Sequence, residues 1–234
     1  MKSIILHQHE VTQLSATGEV TVIRVVDKKC QRFENAIPLP EAVETERGLM
    51  DFPGMKPGDI LFHNGLPIRD GEWQPVSCPF ATIGEVRWVR ETWDVFAIYN
   101  EITSMYEVPS ICYKAGSIAI PILGKAGYAL QRPDNSHKWR SSTTMPEWAS
   151  RFKVGCVGIE VKRVSDITET EARAAGMLIH WNGERFTPPT PQQDTWQSYA
   201  KSGMYLMWNK LYDKNTDAAE DNPWCWVTTH KKVG

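Results

Sequence analysis

The chain has 234 residues, with 26 Lys+Arg against 28 Asp+Glu and a formal charge of -2. A chain of this length buries roughly 70% of the surface its unfolded form exposes, so it needs no disulfide or metal staple. The balanced charge excludes a uniformly basic nucleic-acid coat, because neutralising phosphates takes an excess of Lys and Arg; a confined basic patch remains open.

In chain order, Ile4-Ile5-Leu6 predicts a short buried strand and residues 9–15 one or two helical turns. Residues 20–26 are β-branched apart from Arg24 and predict a strand. Residues 27–77 carry Pro38, Pro40, Pro53, Pro57, Pro67 and Pro75. They read as an elaborated loop insert with one or two strands, in which Lys56-Pro57-Gly58-Asp59 turns into Ile60-Leu61-Phe62. Residues 84–90 alternate apolar and polar positions as a half-buried strand does, and residues 111–114 predict another. Residues 154–164 predict a long strand, with Val157, Ile159 and Val161 on one face and Glu160 and Lys162 on the other. Thr168 and Glu171 make a capping box for a helix that Gly176 ends in a left-handed cap. Trp196, Tyr199, Met204, Trp208 and Leu211 recur near helical spacing, with Gly203 as a break. That stripe reads as core packing, with a face for a partner protein as the alternative. Residues 224–230 predict a closing strand.

Strands at both ends with short helices between predict an α+β fold, a small closed or nearly closed β-barrel in one domain over residues 1–234. Pairing the last strand with an early one would give that single domain. The apolar run from Ile118 to Leu123 is too short to span a bilayer, and Glu10 with two histidines interrupts any leader-like opening. Cys30, Cys78, Cys112, Cys156 and Cys225 form no C-x-x-C pair and are odd in number. They read as reduced, mostly buried thiols of a cytoplasmic protein.

No nucleophile elbow, phosphate-binding glycine loop or H-E-x-x-H motif is present. His7 and His9 would chelate a metal if both lay on one face of a strand, but no third ligand is near in sequence. The expectation is no metal and no cofactor.

The stretch Cys78-Pro-Phe-Ala-Thr-Ile-Gly-Glu-Val-Arg-Trp-Val-Arg-Glu-Thr-Trp93 resembles a motif of phage and prophage ASCH-domain proteins. So do Tyr113-Lys-Ala115, Trp139-Arg-Ser141, Met145-Pro-Glu-Trp-Ala-Ser-Arg151, Asp166-Ile-Thr-Glu169 and Asn222-Pro-Trp-Cys-Trp-Val227, in the same order over about two thirds of the chain. The resemblance implies a PUA-like β-barrel with short flanking helices and a divergent insert at about 27–77. It also implies a phage or prophage origin and recognition of RNA or a modified nucleobase. Some small bacterial relatives hydrolyse N4-acetylcytidine with a Lys, a Thr and a Glu. Aligning their strand arginine on Arg24 puts Glu19, Val22 and Ala175 at those places, and neither valine nor alanine activates a nucleophile or carries a proton. A non-catalytic protein is therefore expected.

The candidate ligand residues are Arg24, Arg90, Glu91, Trp93, Lys114, Trp139, Arg140, Ser141, Trp148 and Arg151. Arginine suits phosphate, a carboxylate accepts from a base amino group, and tryptophan offers a stacking face. The competing reading buries the tryptophans as core and closes Arg90 and Glu91 into a structural ion pair. Lys28-Lys29 with Arg32, Lys162-Arg163 and Lys231-Lys232 are basic clusters, two of which would merge if the terminal strands pair. The partner is thus nucleic acid, as RNA or another single strand, or else a host protein that the chain inhibits. No membrane partner is expected. Residual amide hydrolysis through Glu91 or Lys114 is the third reading.

Overall fold

A computed structural model describes residues 1–38, 44–45, 48–49, 59–64, 73–97, 99–100, 105–106, 110–121, 130–131, 139–179, 186–187, 199–212 and 218–234. Trp196 lies outside these residues.

The fold is mixed α+β, and its principal sheet has five strands. In spatial order these are Ser3–Ile5, Val86–Arg90, Lys153–Arg163, Trp224–Lys232 and Glu19–Val25. The first pairing is parallel, with Ser3 opposite Trp88, and the others are antiparallel. The chain's last strand does pair with an early one, in a register that sets Trp226 opposite Arg24 and His230 opposite Val20.

That register sorts the side chains by face, since successive residues of a strand point to opposite sides. Ile23, Cys225 and Val227 pack against Ala172, Ala175, Met204 and Trp208 of the two later helices. On the other face, Val20 and Val22 meet Val11 and Leu14 of the first helix, Gln8–Thr17. Trp224 and Trp226 on that face pack with Phe33, Ile60 and Phe62. The insert thus contributes to the core. It also holds more strand than expected, because Asn35–Pro38, Ile60–His63 and Trp73–Val76 form a three-stranded sheet.

None of the sheets closes into a barrel, which corrects the closed form of the expectation. The edges of the principal sheet, Ser3–Ile5 and Glu19–Val25, share no backbone ladder. The first helix connects them, and the Arg24 side chain spans the seam between them. Its Nη1 and Nη2 donate to the Glu10 carboxylate at 2.6 and 2.7 Å, and Nη2 reaches the Ile5 carbonyl at 3.5 Å.

Several local expectations need correction. Residues 156–158 form a bulge against the closing strand, so the strict alternation fails there and Val157 is exposed. Ile159 and Val161 do pack on the tryptophan cluster. Gly203 does not break the last helix, Ala200–Tyr212, where it is buried. Met204 and Trp208 are core, but Tyr199, Leu206 and Leu211 are exposed, so the aromatic stripe is only partly core. The capping box of Thr168 and Glu171 is present. Gly176 adopts φ +89, and a Cβ there would sit 2.6 Å from the His9 carbonyl oxygen. Glycine is needed at that point because the end of this helix rests directly on the first helix.

Candidate nucleic-acid interface

A cleft of about 340 Å³ opens at the seam of the principal sheet, lined by Ile5, His7, Arg24, Phe80, Arg87 and Arg90 among others. Both edge strands and the strand Val86–Arg90 contribute to it. Its three arginines differ in what surrounds them.

Arg24 is neutralised by Glu10, which lies wholly inside the protein. Burial alone would raise the Glu10 carboxyl, but the Arg24 charge and hydrogen bonds outweigh it and hold the pKa at about 2. Glu10 also accepts from the His7 backbone N–H at 2.7 Å, closing the capping box of the first helix. Arg87 donates through Nε and Nη2 to Glu85 and through Nη1 to the Phe80 carbonyl at 2.7 Å, which fixes the turn carrying Phe80. Arg90 forms no ion pair among the described residues. Its Nη1 meets the Thr143 carbonyl at 3.3 Å, and its guanidinium lies 4.8 Å from the Trp88 ring centroid. Its Nε is buried with no hydrogen-bond partner. The cleft lining therefore includes one guanidinium that no described carboxylate offsets, and its buried N–H without an acceptor carries a free-energy cost.

Of the nearby imidazoles only His7 lines the cleft. His7 and His9 stack at 5.7 Å with an 8° interplanar angle at the start of a helix, not on a strand. Burial lowers both, His9 to about 4. Burial also lowers His230 to about 4. Its Nε2 lies 3.0 Å from the Thr228 hydroxyl, but both residues are buried and neither lines the cleft. Among the described residues no group of three or more His, Cys, Asp or Glu is placed to hold a metal.

The candidate residues divide between three places. Arg24 and Arg90 line the cleft. Glu91 and Arg151 do not join them: they form a buried bidentate pair at 2.8 and 2.9 Å, with the Arg151 guanidinium against Tyr113 and Phe152. Burial raises the Glu91 carboxyl and the Arg151 fork opposes that rise. Glu91 is buried against Arg151 and does not line the cleft, so the structure does not place it as a base-contacting carboxylate or a hydrolytic group there. Lys114 is exposed outside the cleft.

Trp93 is buried, and Trp139, Arg140, Ser141 and Trp148 gather at the surface above it. The Arg140 guanidinium lies 5.0 Å from the Trp93 centroid, and Trp148 meets Trp93 edge-on at 6.4 Å. The strand pairing sets Lys231 at Glu19, at the far end of Glu19–Val25 from Lys28 and Lys29, whereas Arg32 and Arg163 meet at Phe33. Lys162 is tied to Glu160 and Glu171, Arg163 packs on Trp224, and Lys231 pairs with Glu19.

Sequence reasoning missed Arg87, Glu10 and Phe80. The one signal available for Arg87 is strand alternation, which sets it on the same face as the buried Val89. At the positions where the resemblance implies hydrolase groups, Glu19 pairs with Lys231, and Val22 and Ala175 are buried. All five cysteines are free, and burial pushes every thiol up, Cys30 and Cys112 to about 11. A raised thiol is a poor nucleophile at neutral pH. No protein family, curated protein or solved structure matches the chain. No helix among the described residues is long and apolar enough to cross a membrane.

Proposed function

We propose that the chain is a non-catalytic nucleic-acid-binding protein of the PUA-like ASCH type, phage-encoded and acting in the host cytoplasm on RNA or a modified nucleobase. The cleft between the sheet edges receives the phosphate backbone. The observation that carries this is Arg90, a residue of the cleft lining with no carboxylate partner among the described residues and with a buried Nε that has no hydrogen-bond acceptor. Arg24 and Arg87 also line the cleft, each held by a carboxylate, and Phe80 adds an aromatic residue to the lining. Confinement of the excess charge to one cleft suits a chain whose overall charge is -2.

Titrating a fluorescent 12-nucleotide RNA at two salt concentrations tests the reading. A charge-assisted hydrogen bond contributes about 1.5–3 kcal/mol, so Arg90→Gln should weaken binding by roughly 10- to 150-fold. It should also flatten the salt dependence by about one phosphate contact, while Arg90→Lys keeps that dependence. Binding indifferent to both salt and Arg90→Gln would refute it.

Exposed Tyr199, Leu206 and Leu211 on and beside the last helix favour a second reading, a protein-directed inhibitor of a host nucleic-acid enzyme. Leu206→Glu/Leu211→Glu abolishes capture of a host protein from nuclease-treated lysate under that reading and leaves RNA titrations unchanged.

A further inference from the structure

We propose that Trp139, Arg140 and Trp148 form a base-stacking shelf, making the ligand a single strand whose backbone enters the cleft and whose adjacent bases lie on these rings. The proposal rests on the reading of the cleft just given and adds where the bases go.

Exposure of the rings is the first observation. Seven tryptophans have a described burial, and five are core residues at 7% exposure or less, while Trp139 and Trp148 stand at 39% and 37%. The second is rigidity. The Arg140 N–H donates to the Trp93 carbonyl at 2.8 Å and the Trp93 N–H returns to the Arg140 carbonyl at 3.4 Å, which pins the segment to the start of the strand Trp93–Ala97. Ser141 caps the short 3-10 turn Ser142–Thr144, Met145 is buried beneath it, and the Tyr113 hydroxyl donates to the Ala149 carbonyl at 2.7 Å. The backbone that carries both rings is therefore fixed, and the Trp148 ring also meets Trp93 edge-on, which lowers the ordering cost of binding.

Continuity with the cleft is the third. Arg90 lines the cleft, and its Nη1 meets the carbonyl of Thr143, which lies in the turn between Arg140 and Trp148. The same arginine thus belongs to the cleft wall and to the base of the shelf. The Arg140 guanidinium lies over the buried Trp93 with its Nε 3.9 Å from the buried Asp94 carboxylate, so its charge is paired at the base of the shelf. Alternating cationic and aromatic groups along one surface match the alternation of phosphate and base in a single strand. A duplex keeps its bases stacked on one another and offers no free face to these rings.

The test uses the full chain, with Trp139→Leu and Trp148→Leu to keep apolar bulk and remove the ring face, and Trp148→Tyr to restore a face. Three probes are titrated: a 12-nucleotide single-stranded RNA, a duplex of the same length, and inorganic tripolyphosphate. The single strand should bind more tightly than the duplex. Each leucine variant should weaken single-strand binding by about 5- to 150-fold with an unchanged salt slope, and Trp148→Tyr should recover most of it. Tripolyphosphate, which has no base, should bind all these variants as it binds the wild type. Unchanged single-strand affinity in both leucine variants, with Arg90→Gln still weakening it, overturns the shelf and leaves the cleft standing. Loss of the Arg90 effect overturns the cleft and the shelf together.

Discussion

Replacing Glu10 by glutamine probes the element on which the seam depends. Glu10 is buried, and its pKa falls from an ordinary 4.5 to about 2 in the folded protein. That difference corresponds to about 3 kcal/mol of stability at neutral pH. Breaking a buried ion pair from one side costs about 3–5 kcal/mol, because the remaining charge has no partner, and the two magnitudes agree. For a chain of this size 3 kcal/mol lowers the melting temperature by roughly 6–12 °C. The carboxylate's stabilisation is complete above pH 4.5 and is lost as the pH falls through about 2, so the gap between wild type and Glu10→Gln should narrow over that interval. The double variant Glu10→Leu/Arg24→Leu leaves no unpaired charge and should recover most of the loss. Losing the carboxylate also exposes the cleft to the full Arg24 charge, so Glu10→Gln should bind tripolyphosphate more tightly while being less stable. Differential scanning calorimetry and isothermal titration at pH 7 read both effects. A melting temperature within about 2 °C of the wild type would refute the argument, because it would mean the pair is solvated and does not hold the seam.

Two further predictions concern the same neighbourhood. His9 and His230 are buried neutral, each lowered from 6.5 to about 4, so the unfolded chain binds more protons than the folded one below pH 6.5. Stability should fall by about 1.4 kcal/mol per pH unit for each imidazole as the pH drops from 6.5 toward 4, and His9→Gln/His230→Gln should flatten that slope. A urea midpoint independent of pH across this interval contradicts it. Gly176→Ala should cost about 1–3 kcal/mol or more, because it combines a positive φ with a Cβ forced against the His9 carbonyl. Gly18→Ala has a similar φ of +76 with nothing within 4 Å of its Cβ, so it should lose clearly less in the same melting experiment. Equal losses would show that the two helices can separate at Gly176 without penalty.

Local order was legible wherever one short stretch carried its own reason. The β-branched run around Val22 forms its strand, and Thr168 with Glu171 opens its helix, because propensity and capping act over a few residues. The pairing of the closing strand with Glu19–Val25 also followed from the pattern of elements. The bulge at residues 156–158 did not, because alternation alone cannot reveal where one strand carries an extra residue against its partner. Arg90 and Glu91 are neighbours in sequence and were read as one patch. Strand geometry sends them apart, one to the cleft and the other into a closed pair with Arg151, 60 residues away.

The opposition between Arg24 and Glu10 shows the same division most clearly. Charge balance alone required that any anion site be confined, and composition alone excluded a uniformly basic surface. Which arginine keeps its charge available depends on which carboxylates reach it, and those contacts form between residues distant along the chain. Glu10 silences Arg24 across the seam, Glu85 engages Arg87, and no described carboxylate reaches Arg90. The sequence by itself determined how much charge the protein carries and those strands and helices whose signal lies within one short stretch, such as Glu19–Val25 and the helix that Thr168 opens. Only the tertiary structure decided which arginine of the cleft lining is left with no described carboxylate, because ion pairing falls off within a few ångströms and is set by packing rather than by order in the chain.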